Sequence, residues 1–215
     1  MTLYPYRHLE IQDCAEPLVN LADYNFVLEP AYYQAGWATT PQMYLRQGVA
    51  NRLATVQAQL APLRFKIWDG WRPRAVQQAI YNHYWRELTQ QHPDWKPDRL
   101  QQAVGMFVTP ATQPDLIPPH ASGGAVDLTL VDEHGRELPM GTGFDHFGPE
   151  AAAHYYEPAG QNATLRANRR NLRLALQAAG FRADADEWWH FDYGNQLWAA
   201  ALGQPFAIYG EIALT

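Results

Sequence analysis

Two short stretches carry residues that together suit one kind of chemistry. The first is His120-Ala-Ser-Gly-Gly-Ala-Val-Asp127, a histidine and a carboxylate with two glycines between them. The second, further downstream, is Glu187-Trp-Trp-His190. Pooled, they offer two neutral imidazoles, one anionic oxygen and a second carboxylate. A catalytic zinc ion takes three protein ligands of these types, leaves its fourth position to water and works beside a general base. His120, Asp127 and His190 are therefore read as the ligands of one zinc ion per chain, and Glu187 as the base. Two histidines and a carboxylate also form the facial triad of non-haem iron oxygenases, but such a site gives Glu187 no task.

Positioning these groups makes demands on the elements around them. Residues 125–131 alternate and are strongly apolar, which predicts a strand with Val126, Leu128 and Leu130 on one side and Asp127 and Thr129 on the other. An unpartnered carboxylate among such residues is costly, so Asp127 needs a partner. Gly123 and Gly124 predict a turn that folds His120 back towards Asp127. Residues 188–193 are aromatic and β-prone. In a regular strand, positions 187 and 190 face opposite ways. Either a bend or bulge lies there, or Glu187 sits in the entering loop and only His190 in the strand.

The remaining elements follow from periodicity. Residues 41–60 predict a helix with Leu45, Val49, Leu53, Val56 and Leu60 on one stripe, Pro41 in its first turn and Gly48 inside it. Residues 63–68 alternate as a strand, and residues 73–90 predict a helix burying Val76, Ile80, Tyr84 and Leu88. Arg72 falls at the strand-to-helix corner between them, next to a cleft. A short helix is expected over 98–107, and an extended loop at Pro110, Pro114, Pro118 and Pro119. Residues 136–140 are expected to pair back as a hairpin on the strand at 125–131. Residues 141–148 form a glycine-rich loop without phosphate-binding spacing, in which Asp145 and His146 read as turn residues or substrate contacts. A helix over 163–179 turns Leu165, Leu172 and Leu176 inward and its arginines outward, stopping at Gly180. The segment 1–40 is loop-rich, with Val19, Leu21 and Phe26 in short strands, and shows no catalytic pattern. The tail reads as a short helix and an extended end. Strands at 63–68, 125–131, 136–140 and 188–193 with helices against them make an α+β domain, one across 1–215, around a mainly antiparallel sheet.

Composition narrows the class. The net charge of −6, with no basic run, argues against nucleic-acid or anionic-membrane partners. Cys14 is the only cysteine, so neither an internal disulfide nor a thiolate zinc site is available. No apolar stretch approaches the ~18 residues of a membrane span, and the first ten residues are polar. A soluble, cytoplasmic protein is expected. The eight Trp and twelve Tyr read mainly as core, with an aromatic-walled cleft as the sharper alternative.

His120-x-x-Gly-x-Ala-x-Asp127-Leu-Thr-Leu, Asp-Gly-Trp-Arg72-Pro, Met140-Gly-Thr-Gly-Phe-Asp145 and Glu187-Trp-Trp-His190-Phe, in that family's order along the chain, resemble the D-alanyl-D-alanine dipeptidases of the VanX type. These zinc peptidases share a fold with zinc D-Ala-D-Ala carboxypeptidases and the hedgehog signalling domain. The resemblance implies a zinc-dependent dipeptidase acting on D-Ala-D-Ala or a related dipeptide through a metal-activated water. It assigns His120, Asp127 and His190 to the metal and Glu187 to general base and acid catalysis. It further gives Arg72 to the scissile carbonyl and Asp145 to the substrate's amino terminus. One departure is Pro118, which stands where the family usually has a serine two before the first histidine and offers no hydroxyl. The alternatives are a zinc D,D- or L,D-carboxypeptidase or endopeptidase on peptidoglycan peptides, and a non-catalytic zinc-binding module.

Overall fold

The computed structural model describes residues 4–214 apart from 107, 114 and 159. The last residue expected in the 98–107 helix and the expected loop residue Pro114 therefore lie outside the described residues. In chain order the elements are β1 (Leu18–Asn20), β2 (Val27–Leu28), α1 (Ala31–Gln34), β3 (Tyr44–Arg46), α2 (Gln47–Gln59) and β4 (Arg64–Asp69). Then come α3 (Arg74–Gln91), α4 (Pro97–Gly105), β5 (Ala125–Val131), α5 (Ala163–Ala178), β6 (Arg182–Ala183), β7 (His190–Asp192) and α6 (Gln196–Ala201).

A five-stranded sheet in the order β2-β4-β5-β7-β6 organises the chain. It is antiparallel except for the β2–β4 pair, as the sequence predicts for a mainly antiparallel α+β fold. Strand β5 lies at its centre and is buried at every residue, so both its faces are covered. Val126, Leu128 and Leu130 enter the main core with Phe65 and Ile67 of β4, Leu53 of α2 and Leu172 and Leu176 of α5. The other face carries Asp127. Residues 136–140 do not form the expected strand. Glu137 makes one bridge to Val131, and Leu138 N–H donates to Leu130 O, on the stretch of β5 that β7 is too short to reach. Pro139 has no N–H with which to extend the ladder, and the chain leaves the sheet.

Three further expectations are corrected. The helix read over 41–60 begins only at Gln47, because Tyr44–Arg46 pairs as a strand with Leu18–Asn20. Phe26 lies outside any strand and Leu21 in a single 3-10 turn. Finally, not all the arginines of α5 face outward. Arg169 is buried, and its guanidinium donates to Met140 O at 2.7 Å and to Ala152 O and Glu150 O, each at 2.8 Å. It thereby anchors both ends of the glycine-rich loop. Gly48, unfavourable in a helix taken alone, has a positional reason. A Cβ there would lie 2.6 Å from the Glu16 carboxylate, which accepts from Gly48 N–H and from Tyr209 O–H.

Arg46 ties the ends of the chain to the centre. It is 1% exposed and donates to Ser122 O at 2.9 Å, Glu16 O at 2.6 Å, Gly210 O at 3.1 Å and the Asp13 carboxylate at 2.7 Å. Removing it leaves buried acceptors without donors. Arg46→Met is expected to destabilise the fold by about 3 kcal/mol, which is ~6–12 °C in Tm for a chain of this size. A thermal melt checks it. A loss of less than ~1 kcal/mol, the scale of an exposed pair, would contradict the role given to Arg46.

Candidate active site

The site is built on a row of residues running across the sheet. Asp69 of β4 is the register partner of Asp127 in β5, and Asp127 is the partner of His190 in β7. A register shift between Ile67 and Asp69 ends β4 there and releases the chain into the Gly70 corner. A Cβ on Gly70 would lie 2.5 Å from Tyr44 O, so only glycine lets the corner pass so close to β3. Arg72 then turns back, its N–H donating to His120 O.

His120 enters from a 3-10 turn, Pro119–Ser122, that ends at Gly123 in the left-handed region with φ +71°. This is the turn expected from the two glycines. Gly124 is packed so tightly that a Cβ would collide with Tyr193 O. His120 Nδ1 lies 2.7 Å from Gly70 O, which leaves Nε2 facing Asp127 and His190. His190 presents its Nδ1, 3.0 Å from Asp127 Oδ1 and 3.2 Å from His120 Nε2, while its Nε2 is taken by Asp192. His120, Asp127 and His190 are all buried, and their ligand atoms lie within 4.8 Å of one another. Each histidine thus has one nitrogen held by an oxygen acceptor behind it and one aimed at a shared point beside a carboxylate. That is the donor set and outer support a divalent cation requires, and borderline N/O donors suit zinc.

The Glu187 snag resolves by the second of the two expected routes. Strand β7 starts only at His190, and Glu187 sits in the loop before it, with Glu187 O accepting from His190 N–H. Its carboxylate comes to 4.0 Å from His190 Nδ1, beside the cluster. Burial pushes that carboxyl well above the usual range. Asp127 behaves oppositely. Burial disfavours its charge, but His120 and His190 outweigh this and hold it well below the ordinary carboxylate range.

Arg72 is fixed by four partners: Asp69 at 2.8 Å, Gln77 Oε1 at 2.9 Å, Tyr32 O–H at 3.1 Å and Asp127 at 3.3 Å. Tyr32 was missed by sequence reasoning, which saw no catalytic pattern in the loop-rich segment 1–40. Its ring lies under the Arg72 guanidinium and its hydroxyl donates to Asp145 Oδ1 at 3.3 Å. Asp145 lies in the left-handed region with φ +56°, a conformation aspartate tolerates better than most residues. Phe144 beside it packs on Trp68, Tyr32 and Trp189 and so fixes the loop. Trp188 Nε1–H donates to Thr142 Oγ1, joining this loop to the segment carrying Glu187. Burial is the main force pushing the Asp145 carboxyl up to about 7, with Asp127 adding to it.

Tyr32, Arg72, His120, Asp127, Asp145, Glu187 and His190 line a cleft of about 290 Å³ with Tyr84, Pro119 and Trp189. The aromatic residues therefore serve as core and as cleft wall. Pro118 is buried and Pro119 lines the cleft. His146 is exposed, with Glu150 3.6 Å away.

Comparison with known proteins finds relatives of this chain. Residues 42–209 match the Peptidase M15 family described as D-ala-D-ala dipeptidase. A D-alanyl-D-alanine dipeptidase of Synechocystis is 30% identical, over 98% of this chain and 95% of the relative. The enzyme of that name from Escherichia coli is 34% identical over 71% of this chain and 66% of its own length. A solved vancomycin-resistance D,D-pentapeptidase, VanY with Zn(II), covers 94% of this chain and 96% of its own at 15% identity and a TM-score of 0.44.

Proposed function

This chain belongs to the D-Ala-D-Ala dipeptidase family, and from that premise we propose that His120, Asp127 and His190 hold one zinc ion for hydrolysis of D-Ala-D-Ala or a closely related dipeptide. The observation that carries the assignment is the convergence of His120 Nε2, His190 Nδ1 and Asp127 on one point, with Glu187 beside it. One peptidase domain spans the chain and works in the cytoplasm. None of the described helices is long and apolar enough to cross a membrane.

Bound zinc supplies a Lewis acid and lowers the pKa of its water towards ~7. The chain's own residues do the rest. Glu187 accepts the proton of the attacking water and passes it to the leaving amine. Arg72 faces the scissile carbonyl and stabilises the negative charge that develops on its oxygen. Its four fixed partners hold it in place before the reaction, so little reorganisation is required. Asp145 pairs with the substrate's ammonium group, and Tyr32 holds Asp145 and Arg72 in one frame. A cleft at the small end of the ~300–1,000 Å³ range of ligand pockets suits a dipeptide better than a long wall peptide.

Glu187→Gln is expected to retain stoichiometric zinc while release of alanine from D-Ala-D-Ala falls ~10²–10⁴-fold. Turnover near that of the wild type would remove Glu187 from the mechanism. Asp145 gives a pH test. Its raised carboxyl becomes an anion only as pH climbs towards about 7, so the pairing with an ammonium group is lost below that value. KM for D-Ala-D-Ala should therefore rise as pH falls below neutrality, and Asp145→Asn should flatten this limb. An acidic limb in KM that persists in Asp145→Asn would contradict the assignment.

A further inference from the structure

Behind the cluster, on the side away from Asp127, His190 Nε2 lies 3.1 Å from Asp192 Oδ1. Asp192 is fully buried. Its Oδ1 also accepts from Asn195 Nδ2 at 2.7 Å, and its Oδ2 from Arg182 Nη1 at 2.7 Å. Arg182 is the register partner of Asp192 across β6 and β7, so the ion pair is built into the hairpin. The other arm of the same guanidinium, Nη2, reaches Asp184 Oδ2 at 2.9 Å. Asp184 Oδ1 then accepts the backbone N–H groups of Asp186 at 2.8 Å and Glu187 at 3.2 Å. Asp184 N–H in turn donates to His190 O, closing the loop.

The chain of contacts is continuous from the back of one residue assigned to the metal to the backbone of the residue assigned as base. A histidine ligand is oriented by what holds its other ring nitrogen. A carboxylate in a loop is oriented by what holds its backbone. Here one arginine bridges both supports, and its planar fork suits two carboxylates at once.

We propose that Asp192, Arg182 and Asp184 form a positioning relay that sets the His190 imidazole and the Glu187 carboxylate from one shared frame. The relay rests on the zinc assignment given above. Strand β6, only two residues long, supplies Arg182 from the edge of the sheet. Asp192 acts on the metal through His190, whereas Asp184 acts on the base through the Glu187 turn. The two ends therefore have separable signatures.

The test uses the full chain as wild type, Asp192→Asn, Asp192→Glu, Asp184→Ala, Arg182→Lys and Arg182→Met. Zinc affinity is measured by chelator competition, the visible spectrum is recorded on the cobalt(II)-substituted protein, and kcat and KM are measured on D-Ala-D-Ala. Asp192→Asn is expected to weaken zinc ~10–100-fold and to shift the cobalt bands, with partial recovery in Asp192→Glu. Asp184→Ala is expected to leave zinc affinity close to wild type and to lower kcat at unchanged KM. Arg182→Met should do both, and Arg182→Lys, which keeps the charge, should do both more weakly. Wild-type zinc affinity and cobalt spectrum in Asp192→Asn would overturn the relay, as would unchanged kcat in Asp184→Ala. An Arg182→Met effect confined to KM would overturn it by giving Arg182 to the substrate. Wild-type protein that bound no zinc would instead overturn the zinc assignment, and the relay with it.

Discussion

Everything in the site answers to one buried charge. Asp127 is 2% exposed, in the middle of a strand covered on both faces. A carboxylate there is tolerated only with close positive or hydrogen-bonding partners. His190 comes from the neighbouring strand, His120 from the turn before its own strand, and Arg72 from the corner after the other neighbour. The turn at Gly123 and Gly124 and the corner at Gly70 let these partners approach. The same arrangement that neutralises Asp127 presents two imidazole nitrogens and a carboxylate to a single point.

Arginines carry the next level of support, Arg46 and Arg169 buried and Arg182 half-buried. Arg46 gathers backbone carbonyls from the start, centre and end of the chain around the His120 turn. Arg169 does the same for the loop that carries Asp145. Arg182 binds the hairpin behind His190. For Arg46 and Arg169 a planar cation satisfies several backbone acceptors that an irregular loop leaves unpaired, whereas Arg182 bridges two carboxylates. This is how loops can hold the side chains of the candidate site with the rigidity usually supplied by sheet and helix.

What was legible in the sequence was local. The glycines between His120 and Asp127, the alternation over 125–131 and the helical stripe of α3 all act within a few residues, and each appears much as read. The possible conflict between positions 187 and 190 was visible too, and the short β7 resolves it. What was hidden depends on distant partners. Tyr44–Arg46 becomes a strand because Leu18–Asn20 pairs with it, so the helical stripe begins later than Leu45 suggested. Arg169 reads as a solvent-facing residue until the carbonyls of Met140, Glu150 and Ala152 are known to face it. Tyr32 reaches Asp145 across 113 positions of sequence, and nothing near it in the chain signals a role.

On the reading proposed above, one zinc ion held by His120, Asp127 and His190 makes this chain a D-Ala-D-Ala dipeptidase. The most direct measurement follows metal content and D-Ala-D-Ala cleavage in one preparation, before chelation, after it and after zinc is restored. About one zinc per chain is expected, with cleavage that disappears with the metal and returns with it. Stoichiometric zinc with no cleavage of any dipeptide, or cleavage that survives complete removal of metal, would contradict it.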